Sequence, residues 1–123
     1  MIATAKALQA FFSGFGIPAY NENTIPDDAE LPYITYPLRE PEWNQKTTFY
    51  AIVYYRSADS NLPSLTKADE IVREIGGGIE LTIDGGYIVL WPETPRVQAM
   101  PPNGDVRPAY INLSINAYHM PGV

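Results

Sequence analysis

Ala109-Tyr110-Ile111-Asn112-Leu113-Ser114-Ile115-Asn116-Ala117-Tyr118 is the stretch on which the fold turns. Its residues alternate without a break. Ala109, Ile111, Leu113, Ile115 and Ala117 share one side of an extended chain. Tyr110, Asn112, Ser114, Asn116 and Tyr118 share the other. A period of two predicts a strand with one face in a core. The second face is polar yet uncharged, with a tyrosine at each end. It reads either as an ordinary solvated sheet face or as a subunit contact, since interface centres favour aromatic residues and disfavour Lys and Glu. Pro108 opens the strand.

Upstream, Thr47 to Arg56 forms the clearest long strand. Phe49, Ala51, Val53 and Tyr55 face one way, and Thr48, Tyr50, Ile52 and Tyr54 the other. Both faces are largely apolar or aromatic, so both are expected to be covered, one by helices and the other by a neighbouring subunit. Leu31 to Arg39 is a further strand, carried by Tyr33-Ile34-Thr35-Tyr36 and bounded by Pro32 and Pro37, which make it short or place it at an edge. Ile79–Ile83 and Tyr87–Trp91 flank Asp84-Gly85 and predict a hairpin. Pro92 to Pro95 breaks the chain, Arg96–Met100 reads as another short strand, and 101–105 as a loop.

Two helices complete the pattern. Ile2, Ala5, Leu8, Phe12 and Phe15 recur at helical spacing, and Gly14, Gly16 and Pro18 end that segment. Ala19 to Ala29 reads as a loop. Leu65, Ala68, Ile71, Val72 and Ile75 form the apolar face of a helix over Ser64–Ile75. Ser64 suits its N-cap, with Asp59 to Asn61 as rivals if Pro63 sits in the first turn. Gly76-Gly77-Gly78 terminates it. The order predicts an α+β fold: a single domain over residues 1–123, a largely antiparallel sheet of four to six strands, and two helices packed on one face.

Composition narrows the function classes. Charged residues are 18% of the 123, below the roughly 25% of an average soluble protein. The net charge is −6 and the eight Lys and Arg are scattered, which argues against direct nucleic-acid binding, where a basic patch meets phosphate. The absence of cysteine removes disulfides, thiolate metal sites and thiol nucleophiles, and fits a reducing cytoplasm. The first ten residues lack the apolar core of a signal peptide, and no apolar run approaches the ~20 residues of a membrane span. Asn112-Leu113-Ser114 spells a glycosylation sequon, read as chance inside a strand.

The search for chemistry returns no catalytic residue, no cofactor site and no metal site. The only histidine, His119, lies near the end of the sequence, without an orienting acid in any recognisable pattern. Asp27, Asp28 and Glu30 lack the alternating ligand pattern of a calcium loop and read as a solvated turn. The three glycines follow a helix, whereas a phosphate cradle precedes one. The nine tyrosines are more informative. Tyr33, Tyr36, Tyr50, Tyr54, Tyr55, Tyr87, Tyr110 and Tyr118 all fall on predicted strands. Such a sheet offers rings with polar tips, which suits protein association or sugar binding alike.

Ile17-Pro18-Ala19-Tyr20, Ile25-Pro26-Asp27-Asp28-Ala29 and Leu31-Pro32-Tyr33-Ile34-Thr35-Tyr36, with the closing Ala109-Tyr110-Ile111-Asn112-Leu113, carry a resemblance. The chain resembles the tail terminator (tail completion, head–tail joining) proteins of long-tailed bacteriophages and prophages, over most of its length and element order. The resemblance implies a structural virion protein, not an enzyme. It would be made in the host bacterial cytoplasm and located at the head–tail junction. It would form a homo-oligomeric ring, usually a hexamer, that caps the tail tube protein and docks the head connector or head-closure protein. DNA would pass through without specific binding, past a net-negative lining, and no membrane is involved. Neighbouring readings are another head–tail connector, a minor capsid or tail tube protein, or a small carbohydrate-binding module. The interface candidates come from the residues themselves: Trp43 and its loop; Tyr50, Tyr54, Tyr110, Asn112, Asn116 and Tyr118 on the sheet; and Asn103 and Arg107 in the 101–107 segment.

Overall fold

The computed structural model describes residues 2–120, Ile2 in its backbone alone. The elements run α1 (Ile2–Phe12), a 3-10 turn (Ser13–Phe15), β1 (Ala19–Asn21), β2 (Tyr33–Tyr36), β3 (Thr47–Arg56), α2 (Leu62–Ile75), β4 (Ile79–Ile83), β5 (Gly86–Ala99) and β6 (Val106–His119). One six-stranded sheet has the order β1-β2-β3-β6-β5-β4. Every neighbouring pair is antiparallel except β1 with β2. The fold is α+β, as the alternation of β6 and β3 predicts. Those two strands pair along ten residues, from Thr47 opposite Ile115 to Arg56 opposite Val106.

The core lies between the sheet and the helices. Phe49, Ala51, Val53, Ala109, Ile111, Leu113, Ile115, Ile88 and Leu90 supply the sheet side and are all buried. Ala68, Ile71, Val72 and Ile75 supply α2, which packs over β5, β3 and β6. Leu8 and Phe12 supply α1, which touches both β1 and β4, the two edge strands. One short helix reaches both edges because the sheet curls around it. Phe12 stacks on Tyr36 of β2, ring centres 5.0 Å apart at 18°, and the Tyr36 hydroxyl donates to Gln9 Oε1. Tyr36 is therefore a core residue with its one polar atom satisfied, not a surface tyrosine.

Local differences from the sequence reading have identifiable causes. The first helix stops at Phe12, and Ser13–Phe15 tightens into a 3-10 turn before Gly16, which takes φ +80°. Ala19–Asn21, expected as a loop, is a strand parallel to β2, making β2 short but interior. The second helix begins at Leu62 with Pro63 in its first turn. Asn61 occupies the cap position, yet its amide donates to the Met100 and Pro108 carbonyls. Ser64 is buried inside the helix and donates to the Asn61 carbonyl. The segment Tyr87–Trp91 and all of Arg96–Met100 except Met100 belong to one strand, β5, interrupted by a register shift between Pro92 and Val97. Pro95 is tolerated there because a looped-out stretch asks no ladder hydrogen bond of it, and Pro92 stands where the register breaks.

Candidate interaction face

The helices cover one side of the sheet and leave the other without a layer. Alternation assigns this outer face: Tyr20 from β1, Tyr33 and Thr35 from β2, Tyr50, Ile52 and Tyr54 from β3, every second residue from Tyr110 to Tyr118 of β6, and Tyr87, Val89 and Trp91 from β5. The tyrosines do not stand apart. Tyr20 meets Tyr33 edge-on at 5.7 Å, and Tyr33 meets its cross-strand partner Tyr54 at 5.3 Å. Tyr50 stacks on Tyr110 at 5.2 Å and 21°, a diagonal pair across β3 and β6. Tyr87 stacks on its direct partner Tyr118 at 5.1 Å and 25°. Such pairs each add about 0.5–1.5 kcal/mol beyond the area they bury.

Tyr50 is the most constrained of these rings. The Arg39 guanidinium lies 5.4 Å from its ring centre while donating 2.8 Å to the Thr48 carbonyl. Tyr110 covers the ring too, and the hydroxyl donates to Glu22 Oε2 at 2.5 Å. Burial, then the Glu22 hydrogen bond and charge, push the Tyr50 phenol up to about 12, with Arg39 acting weakly the other way. Burial also raises Tyr54 and Tyr110. These phenols stay neutral through physiological pH, so the face keeps hydroxyl donors rather than phenolate charges.

The middle of the face is not bare. The residues looped out of β5 fold over it. The Asn112 amide donates to the Pro95 carbonyl and to Gln98 Oε1. Ser114 donates to Glu93 Oε1 at 2.7 Å, and Lys46 reaches the same oxygen at 2.8 Å. Lys46 and then Ser114 hold the Glu93 carboxyl below its usual range. Ser114 and Asn116 are buried, at 4% and 9% exposure. Asn116 Oδ1 has no donor, while its amide nitrogen meets the Tyr118 hydroxyl at 3.3 Å. The 109–118 stretch itself is uncharged, as read from sequence, but an ion pair from neighbouring segments crosses it.

The structure separates the sequence candidates into three places. Tyr50, Tyr54, Tyr110 and Tyr118 share the outer face, half-buried, with Asn112 and Asn116 beneath them, engaged or enclosed rather than free. Trp43 lies elsewhere. Its backbone bridges Ala117 at the far end of β6, its ring meets His119 at 5.4 Å, and it borders a recess with Thr4 and Ile83 on the helix side. Asn103 and Arg107 lie at the opposite end of β6. Asn103 forms an exposed turn with Val106. Arg107 donates to the Ser57 and Ala58 carbonyls and so fastens the β3–α2 connection. Sequence reasoning missed Tyr20, Glu22 and Arg39. No local pattern announces them, because each reaches the face from a loop or from a three-residue strand.

Among the described residues, no group of three or more His, Asp or Glu side chains is placed to hold a metal ion. No helix among them is long and apolar enough to cross a membrane.

No protein-family profile matches the chain, and no curated protein does. Seven solved chains match it. One of them, known by a sequence identifier alone, superposes with a TM-score of 0.61 at 14% identity, over 98% of this chain and 94% of its own length. At that identity the likeness is one of fold.

Proposed function

We propose that this chain is a structural virion protein, a tail terminator that associates with itself into a ring, caps the tail tube and presents a docking face to the head connector. The observation that carries the self-association is the outer face of the sheet. It is a layer of paired tyrosines, with the Tyr50, Tyr54 and Tyr110 phenols held neutral and no helix over them. Half-buried aromatic rings around a polar centre match the make-up of protein interfaces. The bacteriophage assignment rests on the resemblance in the 17–36 and 109–113 segments. In this reading a closed head-to-tail ring ends an otherwise open stack of tube subunits.

The sugar-binding alternative needs open ring faces. Tyr50 is enclosed between Arg39 and Tyr110, and Tyr87 lies against Tyr118, which speaks for protein association instead.

The test is the mass of the purified protein by light scattering, with negative-stain images, alone and after mixing with purified tail tubes. Rings with a central hole, alone or on tube ends, are the expected result. A strict monomer that also leaves every tube uncapped overturns the proposal.

A further inference from the structure

The Trp43 recess lies on the other side of the sheet from the tyrosine layer and has a different chemistry. Its volume is about 530 Å³, and Thr4, Glu40, Pro41, Glu42, Trp43 and Ile83 line it. Trp43 is 45% exposed, a large amount for the aromatic most worth burying. His119 and Gly86 support part of the indole, and the remainder lines the opening. An exposed indole beside an exposed carboxylate at Glu42, at the mouth of a recess of this size, suits a flat cation with several N–H groups.

We propose that this recess receives an arginine side chain from a partner protein. The guanidinium is the one side-chain cation that offers a flat face to an indole and a fork of N–H donors to a carboxylate at once. The protein's own cations are mostly committed elsewhere. Lys46, Arg56, Lys67 and Arg73 form ion pairs. Arg107 holds the Ser57 and Ala58 carbonyls, and Arg39 lies over Tyr50. Lys6 borders a different groove, with Asn21 and Leu38, and Arg96 belongs to the looped-out part of β5 on the opposite face of the sheet. The arginine therefore comes from another polypeptide, and a net charge of −6 favours its approach. This inference does not depend on ring formation.

The experiment is an NMR titration of the indole N–H resonances, with Trp91→Phe assigning Trp43. The probe is a blocked Gly-Arg-Gly peptide, and the control replaces arginine with uncharged citrulline. A saturable shift of the Trp43 resonance with the arginine peptide alone is expected. It should weaken about two- to fivefold in Glu42→Gln, the range of one exposed charge pair, and also in high salt. No shift at Trp43, or an equal response to citrulline, overturns the inference. Because the probe is a small peptide, either result reads the recess separately from the oligomeric state that tests the terminator proposal.

Discussion

Gly86 shows how one atom is excluded at the residue scale. A Cβ built there would lie 2.0 Å from the Tyr118 carbonyl oxygen and 3.2 Å from the Trp43 ring. The obstacle is backbone, so it has no rotamer to retreat into. Gly86→Ala is expected to cost about 3 kcal/mol, the upper range for forcing atoms into a packed site, read as a lower urea midpoint. Gly77→Ala, where nothing lies within 4 Å, should stay within about 0.5 kcal/mol. Tyr50 gives the pH counterpart. Its phenol is pushed from 10.0 up to about 12 in the folded protein, so the folded state holds that proton more tightly than the unfolded chain. Its contribution to stability is complete below pH 10 and is lost as pH rises through the 10 to 12 window. Tyr50→Phe should flatten the fall of stability across that window. Glu22→Gln should move the Tyr50 part of the tyrosinate absorbance titration to lower pH. An unchanged titration in Glu22→Gln would mean that the carboxylate does not act on this phenol. Much of this environment was hidden in the sequence. Tyr50 and Tyr110 were legible from alternation, but Glu22 lies 28 residues from Tyr50, and only the pairing of β1 with β2 brings it near.

At the scale of the element, long strands with a clean period were readable and short or interrupted ones were not. The bounds of β3 follow directly from Thr47 to Arg56. Strand β1 has three residues, too few for a period to appear, and its strand character comes from β2 alongside rather than from its own composition. Strand β5 reads as two pieces because Pro92 and Pro95 resemble a break. The four residues between Pro92 and Val97 leave the ladder, and Asn112 anchors them by donating to Pro95 and Gln98. Asn112→Ala removes both bonds and is expected to cost about 1–2 kcal/mol. Hydrogen exchange should quicken in residues 93–98 before it changes in β3, because this local opening needs no loss of the core. Equal quickening throughout the sheet would show that the bulge does not move as a unit.

For the molecule as a whole, the two faces of one sheet carry separate tasks. The helix side holds the buried core, and the tyrosine side is the proposed association face. Arginines placed there test that division. Tyr54→Arg and Tyr110→Arg insert like charges into the proposed subunit contact without touching the buried residues of the helix side. Their assembled mass by light scattering should fall to that of the monomer, with thermal midpoints lowered by only a few degrees. Assembly that persists in both variants would move the contact away from this face.

The strand at the middle of the sheet, β6, is the last of the six in chain order. A ribosome making this chain releases β1, β2 and β3, then α2 and the β4–β5 hairpin, as two half-sheets with nothing to join them. About fifty residues separate the end of β3 from the start of β6, a wait of roughly 3–10 s at cellular rates of synthesis. Through that interval the inner edges of both halves stand open, each a template for the wrong neighbour. Closure is thus a single late event, and it creates the core and the tyrosine face together. A nascent chain cannot display its tyrosine face before it is able to hold it.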